Sequence, residues 1–129
     1  MPHGCAGQPT TRIRVQIPDG VIAAKPMPKP GWTLETVKGA YTKPIDYHGS
    51  NLTDGVREVS WQGSLSDDFY DEFVISTFIT DQLKPGSVLY FPVVQECGDK
   101  VDRWIEIPRE GQTDVLPKPA PAVKLLPKT

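Results

Sequence analysis

Fourteen prolines are spread along the 129 residues, and they constrain the fold more than any other feature. A proline inside a helix removes a backbone donor and clashes with the preceding turn, at a cost of about 3 kcal/mol. An all-helical bundle is therefore excluded. Between the prolines the dominant period is two, which marks strands with one buried face. Residues 11–17 alternate cleanly, with Ile13, Val15 and Ile17 facing in and Arg12, Arg14 and Gln16 facing out. Pro18-Asp19-Gly20 follows as a turn, since proline presets φ and glycine accepts positive φ.

The same reading carries down the chain. Residues 21–24 form a short strand that ends in Lys25-Pro-Met-Pro-Lys-Pro30, an extended crossing that cannot join the middle of a sheet. Strands are expected at 32–37 and 56–61, with 39–54 between them as a long loop or ragged hairpin. A long strand is expected over 69–80, with Phe69, Phe73, Ile75 and Ile79 on one side. Residues 88–94 are the most apolar stretch and read as a central strand with a bulge or open edge at Pro92. In 101–107, Val101, Ile105 and Ile107 share the inward parity, which puts Trp104 outward with Asp102 and Glu106. The Pro- and Lys-rich tail reads as an arm or linker that Val123, Leu125 and Leu126 can pin as an edge strand. Seven or so strands with Gly/Pro turns predict an all-β, immunoglobulin/fibronectin-like β-sandwich over 1–108, with a Pro-rich C-terminal arm over 109–129.

Size and charge narrow the function. A chain this long can bury a single core without needing metals or crosslinks. Its net charge of −2 lacks the basic excess of a nucleic-acid binder. No apolar run approaches the ~20 residues of a membrane span, and no basic segment followed by an apolar stretch marks an export signal. The two cysteines, Cys5 and Cys97, would more often be reduced thiols in a cytosolic chain and a disulfide in an exported one. Composition does not decide between these.

Few residues qualify for chemistry. His3 and His48 sit in no metal-ligand spacing, and His48, in Tyr-His-Gly-Ser, reads as an ordinary loop residue. Asp67, Asp68, Asp71 and Glu72 have the chemistry of an acid–base pair, but a turn followed by a solvated strand face is the better account of them. There is no nucleophile elbow and no phosphate-cradling loop, so no enzyme is expected. Trp104 is more informative. A large aromatic on a polar strand face marks a binding site or packs beneath a loop or the C-terminal arm. Trp32 and Trp61 keep step with apolar neighbours and read as core.

Residues 10–21, Lys25-Pro-Met-Pro-Lys-Pro-Gly-Trp32, Tyr70-Asp-Glu-Phe73, Leu89-Tyr-Phe-Pro-Val-Val-Gln95 and Arg103-Trp-Ile-Glu106 together resemble the YcnI-like copper-binding domain family. The resemblance runs in order from residue 2 to about 107. It implies an exported, periplasmic bacterial module that binds Cu(II) in copper trafficking. Its expected partners are copper importers and PCuAC-type chaperones. The family binds copper through an N-terminal His, an acidic residue and a Trp. Trp104 matches that Trp, and His3 lies near the position of the acidic ligand. The family's first strand and principal His would lie upstream of Pro2. Lacking them, this chain is expected to bind Cu(II) weakly and to expose a sheet edge through which a homodimer can form. Imidazole outranks carboxylate for Cu(II), so His3 in place of an acid is chemically sensible. The resemblance also favours a Cys5–Cys97 disulfide, as an oxidising compartment would.

Overall fold

The computed structural model describes residues 1–109 and 116–127, and within them the regular structure is entirely β. The strands are β1 (Thr10–Gln16), β2 (Val21–Pro26), β3 (Thr33–Tyr47), β4 (Ser50–Leu65), β5 (Ile75–Ile79), β6 (Val88–Tyr90), β7 (Val93–Cys97), β8 (Lys100–Trp104) and β9 (Ala122–Lys124). One layer is a five-stranded sheet in the order β3-β4-β1-β7-β8. All its pairings are antiparallel. The other layer is divided into two ribbons, β2-β5 and β6-β9. No helix among the described residues is long and apolar enough to cross a membrane.

Alternation on β1 works as expected, with Ile13, Val15 and Ile17 buried. They meet Val59 and Trp61 from β4 and Val93 from β7, and the second layer contributes Val21, Ala24 and Leu89. Trp61 is fully buried, and its indole N–H donates to the Met27 carbonyl at 3.0 Å, which satisfies its one polar atom. Trp32 is half-buried against the same core. Phe73 packs edge-on to Trp32 at 5.3 Å and tilted to Trp61 at 5.3 Å. The Lys29 ammonium caps the Phe73 ring at 5.0 Å, which ties the proline-rich crossing to the segment before β5.

Three expectations are corrected. The strand over 69–80 shortens to β5, because 66–74 runs as a loop held by local bonds: Phe69 N–H donates to the Ser66 carbonyl at 3.0 Å, and Asp71 Oδ1 accepts from Glu72 N–H at 2.7 Å. Phe69 consequently stands exposed. The stretch 88–94 is not one central strand. Proline cannot donate to a ladder, and at Phe91-Pro92 the chain leaves β6 in the second layer and enters β7 in the first. The Phe91 N–H there goes to the Pro121 carbonyl at 2.9 Å, while the Pro92 carbonyl accepts from Gln16. The parity of β8 is reversed. Val101, Ile105 and Ile107 are exposed, while Asp102, Trp104 and Glu106 are turned toward the protein and find partners there.

The region 39–54 is the ragged hairpin rather than the loop. Strands β3 and β4 pair from Thr33↔Gln62 to Tyr47↔Ser50, with register shifts at Val37/Lys38 and Ala40/Ile45. His48 and Gly49 close it as a two-residue turn with φ of 50° and 79°, the geometry of a type I′ hairpin. The tail forms β9 against β6, with Leu125 and Ala120 buried and Leu126 exposed.

Gly63 on β4 is fixed by close approach. A Cβ there would lie 2.4 Å from Trp32 Cδ2. Gly63→Ala should therefore destabilise the fold by about 1–3 kcal/mol through overpacking. Denaturant unfolding should show this as a lower midpoint at unchanged slope, with Trp32→Leu in the same chain recovering part of the loss.

Candidate functional site

The N-terminal segment reaches the end of the five-stranded sheet through a tight turn. Gln8 N–H donates to the Cys5 carbonyl at 2.8 Å, with Ala6 and Gly7 at φ of 48° and 80°. This turn presses the Gln8 carbonyl against Gly4, where a Cβ would sit only 1.7 Å from that oxygen, so position 4 requires glycine. Cys5 is then placed on Cys97 at the end of β7, and the two form a disulfide with an S–S distance of 2.09 Å. The bridge joins residues 92 positions apart and both are buried, as the family resemblance implied.

Beside the bridge lies a fully buried polar side chain, Gln95. Its Nε2 donates to the His3 carbonyl at 2.8 Å and to Thr10 Oγ1 at 2.8 Å, while its Oε1 accepts from Trp104 Nε1–H at 3.0 Å. A carbonyl can only accept and an indole N–H can only donate, so these partners determine the amide's orientation. The strand register explains the meeting. Val93 lies opposite Trp104, and Gln95, two residues along on the same face, is its diagonal neighbour.

The Gln95 network thus brings His3 and Trp104 together, with ring centroids 6.0 Å apart and planes inclined at 57°. His3 Nδ1 lies 2.7 Å from the Gly4 carbonyl, which can only accept, so in the neutral tautomer that fits this contact the proton is on Nδ1 and the lone pair on Nε2. Asp67 joins this end of the fold by accepting the Gly4 N–H on Oδ1 at 2.7 Å. Nearby, the Met1 ammonium donates to the Asp71 carbonyl at 2.6 Å, and burial lowers its pKa below the ordinary N-terminal value. No group of three or more His, Cys, Asp or Glu side chains arranged to hold a metal occurs among the described residues. The surroundings of His3 offer one imidazole nitrogen, one indole face and a neighbouring carboxylate. As a donor set this is sparse, well short of the three or four protein ligands of a closed metal site.

The acidic stretch does not converge on a catalytic pair. Asp67 is taken by Gly4, Asp71 pairs with Lys29 at 2.8 Å, and Glu72 accepts the Tyr70 hydroxyl. His48 stands apart at the hairpin tip. Sequence reasoning missed Gln95 and Asp67 at this site. Gln95 did leave a signal, since it is the one polar residue on the inward parity of β7 between Val93 and Cys97. Asp67 left none, because only the folded chain puts it next to Gly4.

The model of a family described as a domain of unknown function, DUF1775, matches residues 1–125. A solved structure of an uncharacterized protein from Nocardia farcinica, described as revealing an immunoglobulin-like fold, superposes with a TM-score of 0.63. It is 22% identical, with 94% of this chain and 80% of that one covered, and the likeness shows the immunoglobulin-like fold. No curated protein matches the chain.

Two outcomes follow from this geometry. Gln95→Leu should leave the Trp104 N–H, Thr10 hydroxyl and His3 carbonyl without their buried partner. Denaturant unfolding should show a loss of about 2–4 kcal/mol, since each such group costs about 1–3 kcal/mol and water re-satisfies some. The second concerns Asp71. A hydrogen bond from Lys29, the largest influence, holds its carboxyl below the usual aspartate pKa. The folded state therefore favours the ionised form, so this stabilisation is present above the ordinary aspartate pKa and is lost as pH falls through the lowered value. Solvent screening keeps it to no more than about 1 kcal/mol. Acid titration of Asp71→Asn should show a correspondingly shallower loss of stability than the unaltered protein below about pH 4.

Proposed function

This chain belongs to the DUF1775 family, and from that premise we propose that it is a non-enzymatic copper-binding module that holds or passes Cu(II) in an exported, periplasmic setting. The observation that carries the reading is the pairing of the His3 imidazole with the Trp104 indole, 6.0 Å apart, on a frame built by Gln95. His3 Nε2 supplies the nitrogen donor that Cu(II) prefers, and the Trp104 ring shields one side of the ion and meets its charge with a π face. Asp67 holds the Gly4 backbone and adds negative charge beside the donor. The buried Cys5–Cys97 disulfide is consistent with an oxidising, exported location.

With few protein donors, binding is weak and exchange is easy, which suits passing an ion to copper-trafficking partners such as a PCuAC-type chaperone or a copper importer. Among the described residues β3 is an outer strand of the five-stranded sheet, paired only with β4, and its free side is where a second copy would pair. A second reading, a protein-interaction sandwich with no metal role, is favoured by the aromatic pair Phe69 and Tyr70, which stand 67% and 63% exposed on the loop before β5.

A Cu(II) titration followed by tryptophan fluorescence tests the proposal. One-to-one quenching is expected, weakened roughly tenfold or more by His3→Ala. Trp104→Phe should keep the stoichiometry while losing most of the quenching. Absence of saturable quenching in the unaltered chain, or quenching indifferent to His3→Ala, would move the assignment to the interaction module.

A further inference from the structure

We propose that the distal tip of the β3–β4 hairpin and the end of β5 form a second binding site, independent of His3 and Trp104, that takes a small organic cation bearing a quaternary ammonium group. A hollow of about 540 Å³ opens there, within the size range of small-molecule sites. Its wall is an aromatic corner. The Tyr47 ring lies 4.2 Å from His48 and 5.0 Å from Phe78, inclined at 62° and 65°, so the ring planes enclose an angle rather than stacking shut. Phe78 is 44% exposed, so part of its surface is open to a ligand.

The charge of the lining agrees with a cation. Asp46 is among its residues, together with Gln82, Thr80 and His48, and among the described residues no lysine or arginine lines it. A cation within about 6 Å of aromatic ring centroids is attracted by their negative faces, and a neighbouring carboxylate adds to that attraction. An anion or a neutral hydrocarbon would gain neither.

The site is also held in shape by the chain. Between Ala40↔Asp54 and Ile45↔Leu52 the β3 strand carries extra residues, including Pro44, which cannot donate to the ladder. The Pro44 carbonyl accepts from Gln82 Nε2 at 3.1 Å, and Ile45 is buried beneath, which brings the hairpin tip over β5. Thr80 N–H and its hydroxyl both donate to the Gly20 carbonyl, at 3.0 and 2.7 Å, anchoring the opposite wall. The tight turn at His48-Gly49 fixes the two ring-bearing residues that precede and occupy it. The hollow lies at the C-terminal end of β5, whereas Asp71 and the Met1 contact lie before its start.

Choline is the probe, with 3,3-dimethylbutan-1-ol as its uncharged isostere, each titrated into the full chain and followed by amide chemical shifts at pH 8. Saturable shifts at residues 45–50 and 78–82 are expected with choline. The alcohol should bind roughly tenfold more weakly, since it keeps the shape but loses the charge. Phe78→Leu keeps an apolar side chain without the ring face, and circular dichroism verifies its fold. It should weaken choline binding by a similar factor while leaving the Cu(II) response unchanged. Equal binding of choline and the alcohol would reduce the site to an apolar hollow and overturn the proposal. So would the absence of saturable shifts to tens of millimolar choline, or unaltered choline binding by a folded Phe78→Leu chain.

Discussion

A primary amide cannot be buried in a protein interior without partners for its polar atoms, and Gln95 is entirely buried. Its partners are a carbonyl from the N-terminal segment, a hydroxyl from β1 and an indole N–H from β8. One side chain therefore ties three separate stretches together at the end of the sheet. The Cys5–Cys97 bridge adds a covalent tie two residues further along β7. By closing a loop across most of the chain it contributes on the order of 4–5 kcal/mol in the loop-entropy description. Neither tie replaces the other. The disulfide limits how far residues 1–9 can stray, and the amide determines which way His3 and Trp104 face.

That division of labour matters because residues 1–9 contain little regular structure: a tight turn and the isolated Cys5↔Gln8 bridge. A segment held only by backbone contacts of this kind would fray. Here it is clamped from three directions, by Gln95, by Cys97 and by Asp67 on the Gly4 amide. The second layer shows the opposite economy. Prolines interrupt it at both ribbons, and Phe73, Ile75 and Thr77 on one side face Pro121, Ala122 and Val123 on the other across an apolar groove of about 440 Å³. Its floor includes Ile13, Val15 and Val93, residues of the five-stranded sheet. The continuous layer thus carries the His3–Trp104 pairing, and the divided layer leaves part of the core accessible.

Most of the five-stranded sheet was legible from period-two alternation, because β1 and β4 have one strongly apolar face. Alternation misled on β8 for a specific reason. Val101, Ile105 and Ile107 outnumber Trp104 on an apolar count, yet the polar partners decide the parity: Trp104 has Gln95, Asp102 has Lys118 Nζ at 2.6 Å, and Glu106 accepts from the Lys118 N–H at 2.7 Å. The two Lys118 partnerships depend on the tail, and the Trp104–Gln95 bond depends on which face of β7 turns inward, so an apolar count along 101–107 alone contains none of them. The loop before β5 departs from its sequence pattern because local bonds outweigh its apolar spacing. Phe69 and Phe73 suggest a strand face, but a Ser66–Phe69 turn and the Lys29–Asp71 pair hold the backbone out of the ladder. Pro92 marks an irregularity in the sequence. Its actual consequence, a change of layer, follows only once Phe91 is seen to bond the tail at Pro121.

The reversed parity of β8 is also what makes the copper reading physically coherent. On the outward face Trp104 would have been a solitary aromatic in water, free to rotate and unrelated to His3. Turned inward, it loses that freedom, and the hydrogen bond to Gln95 sets the plane of its ring relative to the imidazole. An arrangement with one free imidazole nitrogen cannot reach the affinity of a closed site with three or four protein donors, because each missing donor leaves a position filled by exchangeable water. It compensates in a different quantity. With both rings fixed in advance, little ordering entropy is lost when an ion arrives, and solvent-filled positions give an incoming partner's ligand a point of attack. Under the copper proposal, weak retention and fast hand-over would be two expressions of one geometry, set by a buried glutamine rather than by the proposed ligands themselves.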